Sequence, residues 1–89
     1  MGRAVIFTDD GWHEFRWWRE SDSKIYDRLS DIIDECRKTP REGRGKPERL
    51  RHQKGELWSR RLDEKHRIRY GFTELELFVL RCRGHYNDR

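Results

Sequence analysis

Residues 67–72, Arg67-Ile68-Arg69-Tyr70-Gly71-Phe72, change side at every step. A period of two marks a strand with one face buried and the other wet. Ile68, Tyr70 and Phe72 then point one way, and Arg67 and Arg69 the other. The pattern extends in both directions. Upstream, Leu57 to Leu62 reads as a strand and Asp63-Glu64-Lys65-His66 as a turn. Downstream, Thr73-Glu74 makes a second turn and Leu75 to Arg83 a last strand. Connections this short join antiparallel neighbours, so these segments form a meander. In the last strand, alternation assigns Phe78, Leu80 and Cys82 to the core face. It puts Arg81 and Arg83 on the open face with Arg67 and Arg69.

The first half has a different period. Ala4-Val5-Ile6-Phe7 is short, apolar and β-prone, hence a strand. Thr8 and Asp9 suit a helix cap, and Trp12, Phe15 and Trp18 recur at helical spacing to about Glu20. Ser21-Asp22-Ser23 breaks that helix and caps another. In the second helix Ile25, Leu29, Ile32, Ile33 and Cys36 form one apolar stripe. Arg37 and Lys38 favour its C-terminus, and Thr39-Pro40 ends it. The expectation is an α+β fold: an N-terminal strand, then a two-helix hairpin packed on one face of an antiparallel sheet. Residues 1–89 make one domain. Between the halves, Arg41 to Lys46 reads as a flexible basic loop. It contains two glycines but lacks the spacing of a nucleotide-binding loop.

Composition narrows the class. Charged residues are 43% of the chain, against ~25% on average, and hydrophobic residues are only 33%. That approaches disorder, but four tryptophans and an aromatic share of 12% argue for a small real core. Residues 1–36 hold 5 Lys and Arg against 9 Asp and Glu, net −4, whereas residues 37–89 hold 16 against 8, net +8. A localised cation of this kind suits a polyanion such as nucleic acid. Cys36 and Cys82 show no paired spacing, so neither a metal nor a cofactor is expected, and both thiols belong in the core. With no leader and no long apolar run, the chain is expected in the cytoplasm, away from membranes.

The basic half carries the groups that metal-free RNA cleavage needs. A base must take the 2′-hydroxyl proton and an acid must protonate the departing 5′-oxygen. Fixed cations must hold the charge growing on the phosphorus oxygens. Glu48 can serve as base, Arg67 and its neighbours as clamp, and His85 as acid, with Tyr86 or Trp58 stacking on a base. Each has a plainer reading. Glu48 can be a surface glutamate, Arg67 a salt-bridge partner, and His85 a surface histidine.

The run Thr39-Pro40-Arg41-Glu42-Gly43-Arg44-Gly45-Lys46-Pro47-Glu48-Arg49-Leu50 resembles the TP-x-E-G-x-GKPE-x-L signature of YoeB-type toxins in the RelE/ParE superfamily. The resemblance continues through Trp58-Ser59-Arg60-Arg61, His66-Arg67-Ile68-Arg69-Tyr70 and Cys82-Arg83-Gly84-His85-Tyr86. It implies a microbial-RNase-like fold and a metal-independent endoribonuclease that cuts mRNA in the ribosomal A site. It puts the general base on Glu48, the phosphate-stabilising arginine on Arg67, the acid on His85 and the active-site tyrosine on Tyr86. Lys46, Arg51, Arg61, Arg69 and Arg83 are the candidate RNA contacts. The implied partners are a YefM-type antitoxin, the 70S ribosome with its mRNA, operator DNA only together with antitoxin, and a second copy in a homodimer. A rival expectation is a nucleic-acid-binding module without chemistry, acting as co-repressor of its operon with the antitoxin. Two positions depart from the family pattern. Asn87-Asp88-Arg89 follow the histidine-tyrosine pair, and Lys65 stands where an acidic residue is usual.

Overall fold

The computed structural model describes residues 2–50 and 56–84. The chain runs β1 (Ala4–Phe7), α1 (Asp9–Ser21), α2 (Ser23–Lys38), β2 (Glu48–Arg49), β3 (Leu57–Arg61), β4 (Arg67–Phe72) and β5 (Glu76–Arg81). The strands form a five-stranded sheet in the order β1-β5-β4-β3-β2. The meander β2 to β5 is antiparallel, as its short turns require. β1 adds alongside β5 in parallel, so the sheet is mixed. The helical hairpin causes this. It carries the chain across to the far edge at β2, and the meander then steps back strand by strand until β5 lies beside β1 and runs the same way.

Local chemistry sets the helix ends. Thr8 Oγ1 accepts the Gly11 N–H at 3.0 Å and caps α1. Asp22 serves both helices: its N–H donates to Trp18 O, and its carboxylate accepts from the N–H groups of Lys24 and Ile25. α1 lies hard against β5 because Gly11 has no side chain, and a Cβ there would collide with Val79 O.

The α2 stripe meets the sheet as its spacing requires. Leu29, Ile32, Ile33 and Cys36 are buried against Ile68, Tyr70, Phe72, Leu77 and Val79, with Trp18, Leu62 and Cys82 completing the core. Burial of an aliphatic side chain of this size contributes roughly 1.5–3 kcal/mol, so the stripe binds α2 firmly to the sheet. Desolvation pushes the thiol of Cys36 up to about 11 and that of Cys82 up to about 12. Both stay protonated and act as small apolar residues.

In β5 the expected parity fails over most of its length. Leu77 and Val79 face the core, while Phe78 and Leu80 are half-buried on the other side. The cause is a bulge. Tyr70 pairs with Val79 but Arg69 pairs with Arg81, leaving Leu80 without a partner on β4. The extra residue resets the alternation. It therefore returns Arg81 to the open face beside Arg69, and Cys82 to the core, as uninterrupted alternation from Cys82 backwards had placed them.

Candidate active site

The open face is built rank by rank from the register. Glu48 on β2 pairs with Ser59 on β3, Ser59 with Arg69 on β4, and Arg69 with Arg81 on β5. One rank on, Arg61 pairs with Arg67. Four strands thus line up a carboxylate, a hydroxyl and two guanidinium groups in one row, with two more guanidinium groups beside it. Like charges directly opposite each other repel unless something between them is negative.

Arg67 holds the middle of this array. Its Nη1 donates to Ser59 Oγ at 3.3 Å and lies 3.9 Å from Glu48 Oε1. The Arg67 side chain is 18% exposed and that of Glu48 65%. Arg67 is thus anchored and partly dehydrated, while Glu48 stands in solvent with a cation nearby. Arg69 is half-buried, and its Nε is a buried donor without a partner among the described residues. Buried donors are nearly always satisfied, so this one invites an anion.

The other arginines differ from that pair. Arg81 donates through Nε and Nη2 to Glu14 Oε2, at 3.1 and 2.9 Å. Arg83 lies past the end of β5, its guanidinium 3.6 Å from the centre of the Trp17 ring. It therefore stacks on α1 instead of standing among the open-face cations. Arg61 is exposed and lines a cavity of about 450 Å3 with Arg28, Ile32, Arg44 and Leu62. Lys46 is exposed with φ +52. A lysine in the left-handed region stores roughly 1–3 kcal/mol of strain, and here it directly precedes Pro47 and Glu48. Trp58, considered above as a stacking platform, pairs with Tyr70 on the core side, and its Nε1 is tied to Glu56 Oε2 at 2.8 Å. It has no route to the open face. Arg51, His85 and Tyr86 lie outside the described residues, as do Asn87, Asp88 and Arg89.

The basic loop is fastened, contrary to its reading as flexible. The fastener is Arg60, fully buried. Its Nη2 donates to the carbonyls of Thr39 and Glu42 at 2.6 and 2.8 Å. Its Nη1 donates to Glu35 Oε1 at 2.7 Å and Arg44 O at 3.2 Å, and its Nε to the Tyr70 hydroxyl at 3.1 Å. Tyr70 in turn donates to Pro40 O at 2.6 Å. Gly43 and Gly45, with φ +127 and +82, let the loop wrap this closely; a Cβ on Gly45 would lie 2.7 Å from Arg61 O. The Gly45 carbonyl then accepts the Arg61 N–H, which leads directly into β2 and Glu48. Alternation along β3 contained the signal for this role. Position 60 shares the core face with Trp58, and an arginine forced inward must gather acceptors.

Glu35 completes the fastening. The Arg44 main-chain N–H, followed by the Arg44 and Arg60 guanidinium groups, holds its carboxyl below the ordinary glutamate value. A folded-state value below the unfolded one (~4.3) favours the ionised native form. The stability so contributed is present above the unfolded value and disappears as pH falls through the folded one. Thermal melts of wild type and Glu35→Gln between pH 7 and pH 3 are expected to converge as the pH drops. A constant gap would show that the charge is not what matters.

A two-helix hairpin over a five-stranded sheet, with a carboxylate and arginines ranked on its open face, defines the class: an α+β toxin of RelE-like fold. The family model for the YoeB-like toxin of bacterial type II toxin-antitoxin system matches residues 7–86. The chain belongs to that family. It is 39% identical to Toxin YoeB of Escherichia coli K12 over 82 residues, covering 92% of this chain and 98% of that one. It is 38% identical to Toxin RelK of Mycobacterium tuberculosis H37Rv over 84 residues, covering 94% and 99%. Among solved structures, the YoeB/ParE toxin from Agrobacterium tumefaciens superposes with a TM-score of 0.86 at 32% identity, covering 93% of this chain and 99% of that one. The YoeB dimer from Staphylococcus aureus gives 0.88 at 22% identity, over 97% and 100%, a likeness of fold.

Proposed function

We propose that this toxin, acting as one domain over residues 1–89, is a metal-independent endoribonuclease that cuts mRNA in the ribosomal A site and so stops translation. One observation carries the reading. Two segments distant in sequence converge on Arg67: its side chain faces Glu48, and its main-chain N–H donates at 2.9 Å to the carbonyl of Gly84, the residue to which His85 is bonded. In the proposed reaction Glu48 takes the 2′-hydroxyl proton and the 2′-oxygen attacks the adjacent phosphorus. Arg67 holds the charge on the non-bridging oxygens, and His85 gives a proton to the departing 5′-oxygen. The products are a 2′,3′-cyclic phosphate and a free 5′-hydroxyl. Tyr86 assists beside the reacting phosphate. Arg69, whose Nε has no partner among the described residues, and Lys46, Arg51 and Arg61 hold the flanking backbone, while Arg83 reaches RNA only if it leaves Trp17.

The partners follow from the same reading. A YefM-type antitoxin restrains the toxin, two copies associate, and operator DNA is met only with antitoxin present. Staphylococcus aureus relatives of the same fold were solved as a YoeB dimer and as YoeB-YefM complexes. The test is primer extension on mRNA incubated with purified toxin, with and without ribosomes. Cuts at the A-site codon, dependent on ribosomes and abolished by antitoxin, are expected. Absence of cutting, together with operator binding alongside antitoxin, would instead make the protein a co-repressor without chemistry.

A further inference from the structure

β5 ends at Arg81, yet the chain beyond it is still held at every residue to Gly84. Glu14 Oε1 accepts the N–H groups of Cys82 and Arg83 at 2.8 and 3.2 Å, while Oε2 accepts both donors from Arg81. Trp18 Nε1 donates to Cys82 O at 2.8 Å. The Gly84 N–H donates to His66 Nδ1 at 2.8 Å, and Gly84 O accepts the Arg67 N–H. Trp18 meets the His66 ring edge-on, with centroids 4.8 Å apart, and so fixes its plane.

Three features of this arrangement exceed what ending a strand requires. First, the Glu14 side chain is only 12% exposed. A carboxylate drawn that far from water is costly unless fully bonded, and all its bonds here go to residues 81–83. Second, His66 acts as an acceptor through Nδ1, which fixes its tautomer with the proton on Nε2. Third, Gly84 has φ +108, a conformation that would otherwise leave the chain free to turn. The bonds to His66 and Arg67 remove that freedom at the residue before His85.

We propose that Glu14 and His66 are positioning residues, forming a two-point clasp that fixes Gly84, the residue before the proposed acid, against Arg67. The inference rests on the ribonuclease reading above. Neither residue touches substrate. Glu14 holds the approach from the α1 side and His66 holds the last link. Misplacing a reacting group by about 1 Å costs on the order of 100-fold in rate, so loosening the clasp acts on the chemical step.

The test uses paired variants in the full chain. His66→Ala removes the acceptor, whereas His66→Asn returns an amide oxygen near the Nδ1 position. His66→Ala is expected to lower kcat for cleavage of ribosome-bound mRNA by about 30- to 100-fold, with KM within about twofold of wild type. His66→Asn should recover most of that loss. Glu14→Gln, whose NH2 must face either the Arg81 guanidinium or the N–H groups of Cys82 and Arg83, should behave like His66→Ala. In parallel, the Gly84 amide proton, observed by NMR, should exchange slowly in wild type and His66→Asn and quickly in His66→Ala. If Glu14→Gln does not fold, the His66 pair carries the test alone. The clasp is overturned if the Gly84 amide exchanges freely in wild type, if kcat survives His66→Ala, or if Asn and Ala are equally impaired. A protected amide in a wild-type protein that cuts nothing removes the ribonuclease reading, and the clasp's catalytic purpose with it.

Discussion

Arg67→Ala is expected to reduce cleavage of ribosome-bound mRNA by about 100- to 1,000-fold while leaving the fold in place. The magnitude is that of removing one preorganised donor from a developing oxyanion, about 2.7–4 kcal/mol. Arg67 is suited to that task because Ser59 fixes its fork and its surroundings are partly dry, so little reorganisation is needed as charge builds. Its side chain belongs to the open face, so its loss leaves no hole between α2 and the sheet. Lysine should rescue only partly, since a point charge cannot match two phosphate oxygens at once. His85→Ala should lose about 100- to 10,000-fold, the range of a general acid, and Glu48→Gln a comparable factor as base. The measurement is single-turnover cleavage by primer extension, with growth arrest on induction as the cellular readout. Equal cutting by His85→Ala and wild type would rule out the acid assignment.

Arg60→Met is expected to be the most damaging substitution for stability. The change strands the carbonyls of Thr39, Glu42 and Arg44 and deprives Glu35 of its buried partner. Removing one member of a buried pair typically costs about 3–5 kcal/mol. In a domain of this size each kcal/mol moves the melting midpoint by roughly 4–8 °C, so a drop on the order of 12–40 °C follows. Arg60→Lys should recover little, because one ammonium cannot serve acceptors spread around the loop. Release of residues 39–45 should also speed trypsin cleavage after Arg41 and Arg44. Thermal melts and timed proteolysis check both effects. A midpoint within a few degrees of wild type would mean that water replaces the guanidinium at small cost. Activity should fall as well, since the loop that Arg60 fastens leads straight into Glu48.

The sequence by itself determined every element but the short strand β2, and the chemistry available to them. Alternation over Arg67–Phe72 located β4, and the Ile25-to-Cys36 stripe located α2, because each periodicity reports which face of a regular element avoids water. The loop signature and the residues around Arg67 located the family. Tertiary structure decided the rest. No local pattern announces a bulge, so alternation alone puts Phe78 and Leu80 on the core face, whereas the pairing with β4 puts them on the other. The parallel pairing of β1 depends on the helices carrying the chain to the far edge, from which the meander comes back to lie beside β1. Of the adjacent arginines in Trp58-Ser59-Arg60-Arg61, one is buried as the loop's fastener and the other exposed on the open face. Glu14, which looks in sequence like an ordinary acidic residue of an early helix, holds main chain nearly seventy positions away (|i−j| of 68 to Cys82). The physical reason is common to all of these. Periodicity is set by a residue's neighbours along the chain, whereas a hydrogen-bond partner is set by which distant segment the fold brings within about 3 Å.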